Sequence, residues 1–215
     1  MSFKTEQEEF WASEFGNEYI GRNKSDELLA SNLNFFSKAF NQLGRPNSLI
    51  EFGANIGMNL RAIKLLFPKV KVSGIEINNN AEKELADLIG KENTFNGSIF
   101  DYESNEKFDV SLIKGVLIHI NPEMLSVVYE KLYRASNKYI LICEYYNPSP
   151  VTVNYRGHND RLFKRDFAGE MLETFDDLEL IDYGFTYKRD KAFPQDDITW
   201  FLLIEEIKAH NKVYS

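Results

Sequence analysis

The chain has 215 residues, 43% of them hydrophobic, enough to bury one sizeable core, so one domain with appendages is the expectation. With 25 basic against 33 acidic residues its formal charge is -8, which disfavours a nucleic-acid backbone as a general partner and favours small molecules. The longest apolar runs, near "YILIC" and "WFLLI", fall well short of the ~20 residues that a membrane span needs. The single cysteine, Cys143, excludes an internal disulfide, and "MSFKTEQEEF" has neither a basic leader nor an apolar core; a reducing cytoplasm is the expected setting.

In chain order, "EEFWASEFGNEYIGRN" places Trp11, Phe15 and Tyr19 four residues apart, the spacing of a helix packed by aromatic rings. Residues 25 to 43 carry Leu29, Leu33, Phe36, Phe40 and Leu43 at steps of 4, 3, 4 and 3, an amphipathic stripe with Ser25 as N-cap and Gly44 and Pro46 as its stop. Strands and helices then alternate. "SLIEF", "KVSGIEI", "TFNGS", "DVSLIKG" and "YILICEY" read as strands; "NLRAIKLLF", "AEKELADLI" and a segment opening at Asn121 and Pro122 read as helices. Parallel strands need crossover elements, so the pattern predicts an α/β domain with a mostly parallel sheet covered on both faces. The end departs from the pattern: "LELIDYGFTY" and "DITWFLLIEEI" have no helical pattern between them and predict an antiparallel edge hairpin. No repeat or linker interrupts the chain. The expected organisation is an N-terminal helical cap over 1–45, one compact domain over 46–208 and a polar tail over 209–215.

The chemistry centres on "LIEFGANIGMN". In an open parallel sheet, ligands sit beyond the carboxyl ends of the strands, where a glycine turn and a helix N-terminus present free backbone N–H groups. Gly53 permits the tight turn, and Gly57 lets a ligand approach the backbone. Glu76 closes the second strand 19 residues after Gly57, where a carboxylate accepts hydrogen bonds from both hydroxyls of a ribose. An adenosine-type cofactor follows. A dinucleotide fingerprint does not, because counting from Gly53 its third and sixth positions are Asn55 and Met58 rather than glycine.

The turn, Glu51 followed by G-x-N-x-G, instead resembles the first motif of class I S-adenosylmethionine-dependent methyltransferases, with Asn55 for the middle glycine. Asparagine is the next residue after glycine to accept left-handed backbone angles. "GIEI", "NGSIFD" and "FDVSLIKGVLIHI" are similar to that family's later motifs. The resemblance implies S-adenosylmethionine as cofactor and a Rossmann-like, seven-stranded sheet with an antiparallel C-terminal strand. It also implies that Glu51, Gly53, Asn55, Gly57, Asn59, Glu76, Ile77, Ser98, Ile99, Lys114 and Gly115 hold the cofactor, with Asp101 a further candidate beside the adenine. In many relatives an N-terminal helix closes over the cofactor as a lid, which gives Tyr19, Arg22 and Asn23 a place at the cofactor carboxylate or the acceptor.

"FWASEFGNEYIGRN", "KGVLIHINPE" and "YNPSPVTVNYRGHNDRLFKRDFAGEM" together resemble the methyltransferases associated with pseudaminic acid biosynthesis, bacterial proteins. That resemblance implies an acidic sugar, or its nucleotide-activated form, as acceptor. The residues give a parallel reading: from Val151 to Arg165 there are four basic groups against one acid, Asp160, and arginine forks match carboxylates and phosphates. The alternative is that these charges pair with acids of the protein. The expected acceptor-binding set is Tyr19, Arg22, Asn23, Glu144, Tyr146, Tyr155, Arg156, Arg161 and Arg165. A sulfonium cofactor carries its own leaving group, so the protein mainly aligns the reactants. A hydroxyl acceptor adds need of a base, for which His119, His158 and Glu144 are available, with Tyr155 a further candidate catalytic group; a carboxylate or free amine needs none. With three histidines, one of them His210 in the tail, and one cysteine inside an apolar strand, no transition-metal site is expected. A protein acceptor, a noncatalytic binding module and a dehydrogenase with a degenerate loop remain alternatives.

Overall fold

The structure, a computed structural model, describes residues 3–21, 24–103, 106–155 and 161–206. Arg22, Asn23, Arg156, His158, His210 and the tail over 209–215 lie outside them. Two short helices, α1 (Glu6–Ala12) and α2 (Glu14–Ile20), precede α3 (Asp26–Ala39). There follow β1 (Ser48–Phe52), α4 (Met58–Leu66), β2 (Lys71–Glu76), α5 (Asn79–Ile89), β3 (Thr94–Asn96), β4 (Phe108–Lys114), α6 (Leu125–Ala135) and β5 (Ser136–Glu144). A small ribbon of β6 (Val151–Thr152) and β7 (Phe163–Lys164), then α7 (Phe167–Thr174), β8 (Leu178–Phe185) and β9 (Thr199–Glu205), complete the described elements.

The large sheet has the order β3-β2-β1-β4-β5-β9-β8, with seven strands. β1 pairs in parallel with β2 and β4, β2 with β3, and β4 with β5, whereas β9 is antiparallel to both β5 and β8. The antiparallel hairpin expected from the last two apolar runs therefore forms, with β9 inserted between β5 and β8. Alternate residues of each strand feed two cores. Leu49 of β1, Val110 and Leu112 of β4 and Leu141 of β5 face α3, α4 and α5, while Ile50, Phe52, Ile113, Ile140 and Ile142 face α6 and α7. At ~25 cal/mol per Å² of apolar surface, this double-sided burial is the main force holding the sheet.

Four local readings change. Ser25 caps α3 as expected, its side chain accepting from the Leu28 N–H, but the helix stops at Ala39, and its buried face runs through Asn32, Phe35, Phe36 and Ala39, leaving Leu29 and Leu33 only partly buried. Asn121 caps a single tight turn, Pro122–Met124, and α6 begins after it at Leu125. The aromatic N-terminal segment is two helices broken at Ser13, whose backbone is extended at the junction. Helix α7 and the β6–β7 ribbon are elements that the sequence pattern did not assign. No helix among the described residues is long and apolar enough to cross a membrane.

Candidate functional site

The carboxyl ends of β1, β2, β4 and β5 open into a cavity of about 730 Å³, roofed by α1, α2 and the start of α3. The turn after β1 forms one wall. Gly53 has φ 76° and Gly57 has φ 82°, and Asn55, at φ 50°, is the one non-glycine residue with positive φ among those described. Asparagine thus takes the left-handed geometry expected of it. The reason for Gly57 differs from the one inferred from sequence: a Cβ there would meet Leu85 and Leu88 of α5 at 2.8 Å, so the residue is small to let two helices pack. At Gly53 a Cβ would meet the Val116 side chain at 2.6 Å.

Glu76 ends β2 inside the cavity. Its Oε2 accepts the Asn55 N–H at 2.7 Å and its Oε1 the Asn78 N–H at 2.7 Å, which fixes the carboxylate while leaving acceptor capacity on each oxygen. Burial raises its pKa, and those backbone bonds oppose the rise. Ile77, Gly97, Ser98, Ile99 and Phe100 continue this wall. Ser98 caps the turn that follows it by accepting the Phe100 N–H at 3.0 Å. Asp101 does not join them: it forms an ion pair with Lys4 at 2.6 Å and thereby ties down the start of α1.

Glu51 lies behind the wall rather than on it. Fully buried, it accepts from Asn59 Nδ2 at 2.6 Å, and burial pushes its carboxyl up to about 8, against the opposing pull of Asn59 and Lys114. Asn59 itself lines the cavity, so Glu51 acts by orienting it. Lys114 and Gly115 form the floor. Gly115 has φ 68° and open space where a Cβ would stand. Glu144, expected at the acceptor, is instead buried beneath the next turn, where its Oε1 accepts the Val116 and Leu117 N–H groups at 2.9 and 2.8 Å. Burial pushes it up to about 7.

Opposite the floor stand Trp11, Tyr19, His119, Tyr145 and Tyr155, with Asn32, Lys188, Gln195 and Asp196. The Trp11 and His119 rings are 4.7 Å apart, and His119 lies 5.2 Å from Tyr155. His119 Nδ1 is 2.6 Å from the Arg161 carbonyl oxygen and donates to it, which leaves Nε2 as the acceptor. Burial pulls its pKa down to about 4, so the ring is neutral at physiological pH. Gln195 Nε2 donates to Asn32 Oδ1 at 2.7 Å, joining the β8–β9 loop to α3.

The arginines expected at the acceptor are used elsewhere. Arg161 reaches Glu6 at 3.2 Å and lies over the Phe10 ring at 5.6 Å; Arg165 donates to Glu170 at 2.5 Å. Tyr146 is exposed, 5.8 Å from the Phe201 ring, and outside the cavity. For these residues the pairing alternative holds, because Glu6 and Glu170 come from segments remote from the basic run or beyond it. Asn32, Tyr145, Lys188, Gln195 and Asp196 were not singled out from sequence. Asn32 had a signal, an amide at a helical step from Phe35 and Phe36; the loop residues had none.

No protein-family model matches the chain, and no curated protein matches it by sequence. Solved structures do. The chain has the Rossmann-like fold of class I methyltransferases. It is similar to 1,6-didemethyltoxoflavin-N1-methyltransferase from Burkholderia thailandensis, solved with 1,6-didemethyltoxoflavin and S-adenosylhomocysteine, at 15% identity over 92% of this chain and 86% of that one, TM-score 0.69. Magnesium protoporphyrin IX methyltransferase from Synechocystis PCC 6803, solved with S-adenosylhomocysteine, matches at 12% identity over 93% and 97%, TM-score 0.66. The plantazolicin methyltransferase BpumL, also in complex with S-adenosylhomocysteine, matches at 17% identity over 93% and 94%, TM-score 0.63. Within this methyltransferase fold the cavity lies at the carboxyl ends of the parallel strands, the general ligand position of open α/β sheets. Among the described residues no group of three or more histidine, cysteine, aspartate or glutamate side chains is placed to hold a metal.

Proposed function

We propose that the protein is an S-adenosylmethionine-dependent methyltransferase acting on a small acceptor with a negatively charged group, of which an acidic nonulosonic sugar of the pseudaminic type is one candidate. The observation that carries the reading is Glu76: a buried carboxylate at the end of β2, held from behind by two backbone N–H groups, with capacity left on both oxygens for a ribose diol. The remaining residues fit that cofactor. Gly97, Ser98, Ile99 and Phe100 offer an apolar and polar wall for an adenine, and Gly115 leaves room against the backbone of the floor. The volume lies within the ~300–1,000 Å³ usual for small-ligand sites. When bound, the cofactor supplies an activated methyl group on a sulfonium.

The protein's share is binding, orientation and exclusion of water. Trp11, Tyr19, Tyr145 and Tyr155 enclose the far side with flat, largely apolar faces, and Asn32 and Gln195 provide paired amides. The enclosed geometry favours a small molecule over a protein acceptor. His119 orients rather than accepts the proton: held neutral with a low pKa, it is a weak base, and its Nε2 is suited to receive a hydrogen bond from an acceptor hydroxyl. Lys188 pairs with Asp197 at 3.2 Å and sits at the rim. Incubation with methyl-labelled cofactor and a panel of free and CMP-activated nonulosonic acids, neutral sugars and small aromatic acids, scored by mass, tests the proposal. Label should pass to an acidic member and not to its neutral counterpart. Transfer to a neutral member alone would refute the acceptor assignment.

A further inference from the structure

A lysine in the floor of this cavity has no anionic partner among the described residues. Lys114, the last residue of β4, lies in register beside Cys143 of β5 and faces α3, with its Nζ 5.5 Å from the centre of the Phe35 ring. Among the described residues its ammonium makes no hydrogen bond and no ion pair, although it keeps some accessible surface and lines the cavity. The charged and titratable groups around it are Glu51 on β1, Cys143 and Glu144 on β5 and Asp196 in the β8–β9 loop. None forms a close pair with it. Glu51 and Glu144 are turned to Asn59 and to the turn after β4, and burial raises both carboxyls. A cation withdrawn from water with no close counter-ion is costly, and a bound anion offsets that cost. Arg161 and Arg165, the described arginines of the 151–165 segment, do not supply the cavity's positive charge, since they pair outside it.

We propose that Lys114 Nζ is the receptor for a carboxylate bound in this cavity, the carboxylate being that of the cofactor's amino-acid tail or that of the acceptor. Either way an N⁺–H···O⁻ bond forms where the free protein has only the face of Phe35. The site is at the end of β4 next to Gly115, whose missing Cβ leaves the approach clear. This inference rests on the methyltransferase reading, and its test separates the two.

Titration calorimetry on the full chain compares S-adenosylhomocysteine with 5′-methylthioadenosine, which keeps the adenosine and thioether but lacks the amino-acid tail. N-acetylneuraminate is then added, as an acidic-sugar probe, to protein saturated with methylthioadenosine. Wild type is set against Lys114→Met and Lys114→Gln, with melting temperatures to confirm folding. If the cofactor tail is the anion, both variants weaken S-adenosylhomocysteine by about 10- to 100-fold and leave methylthioadenosine unchanged. If the acceptor is the anion, both nucleosides bind as in wild type and binding of the sugar is lost. The proposal is overturned if the variants match wild type with all three probes, including the case in which no protein binds the sugar, or if both nucleosides weaken alike. Failure of wild type to bind either nucleoside would defeat the methyltransferase reading itself.

Discussion

At the scale of single residues, His119 shows how burial decides chemistry. The ring is almost fully enclosed, its Nδ1–H is committed to the Arg161 carbonyl, and its pKa falls to about 4. A general base contributes about 10²–10⁴-fold, and a group so weakly basic does not. Asparagine at this position keeps an N–H for the carbonyl, so His119→Asn should lower kcat by less than about tenfold, and the wild-type rate profile should show no inflection near pH 6.5. Loss of the larger factor would restore His119 as the base. The positive φ of Asn55 and the position of Glu76 at the cavity were legible from sequence because both depend on the backbone: a tight turn after a strand needs residues that accept positive φ, and the last residue of a parallel strand stands at the crevice. Arg161 and Arg165 misled because a basic run discloses only local charge, while the acids that neutralise it come from α1 and α7.

At the scale of elements, Asn78 joins two functions. Its side-chain oxygen caps α5, accepting from the Asn80 and Ala81 N–H groups, while its Nδ2 donates to the Trp11 carbonyl, the Ser13 carbonyl and Asn17 Oδ1 at 3.0–3.4 Å. The roof made by α1 and α2 is thus pinned to the helix that follows β2. Serine would keep the cap and lose the pins. Asn78→Ser should therefore leave global stability within about 0.5 kcal/mol yet speed hydrogen exchange across 6–20; unchanged exchange there would show that the roof is held by other contacts. The strong periodic segments, α3 through β5 and the final hairpin, were readable because each carries its own hydrophobic repeat. Helix α7 was not, since eight residues with Gly169 among them give too short a repeat, and the β6–β7 ribbon pairs only two residues per strand. The loop between β8 and β9 reads as plain polar turn, and only the folded hairpin brings Gln195 to Asn32.

At the scale of the whole molecule, the site stores unfavourable electrostatics that folding must overcome. Glu51 has an ordinary value of 4.5 when unfolded and about 8 when folded, so the native state binds the extra proton between those values. Its contribution to stability is full below about pH 4.5 and is lost as the pH rises through about 8. Glu144 behaves likewise up to about 7, whereas Lys114, with its pKa lowered, acts in the opposite sense on the alkaline side. Denaturant titrations should show stability declining from pH 5 to 8, by at most about 1.4 kcal/mol per pH unit for each fully titrating group. Glu51→Gln, which keeps an acceptor for Asn59, should flatten that decline; an unaltered slope would mean that Glu51 is ionised in the folded protein.

A methyl donor bound in this cavity would be held by its nucleoside at the end of β2. Calorimetric titration of the wild-type protein and Glu76→Ala with S-adenosylhomocysteine tests it most directly. The prediction is saturable binding at one site per chain, weakened by about 10- to 100-fold in the variant through loss of the charged hydrogen bonds to the ribose. Equal binding by both proteins, or none by wild type, would contradict it.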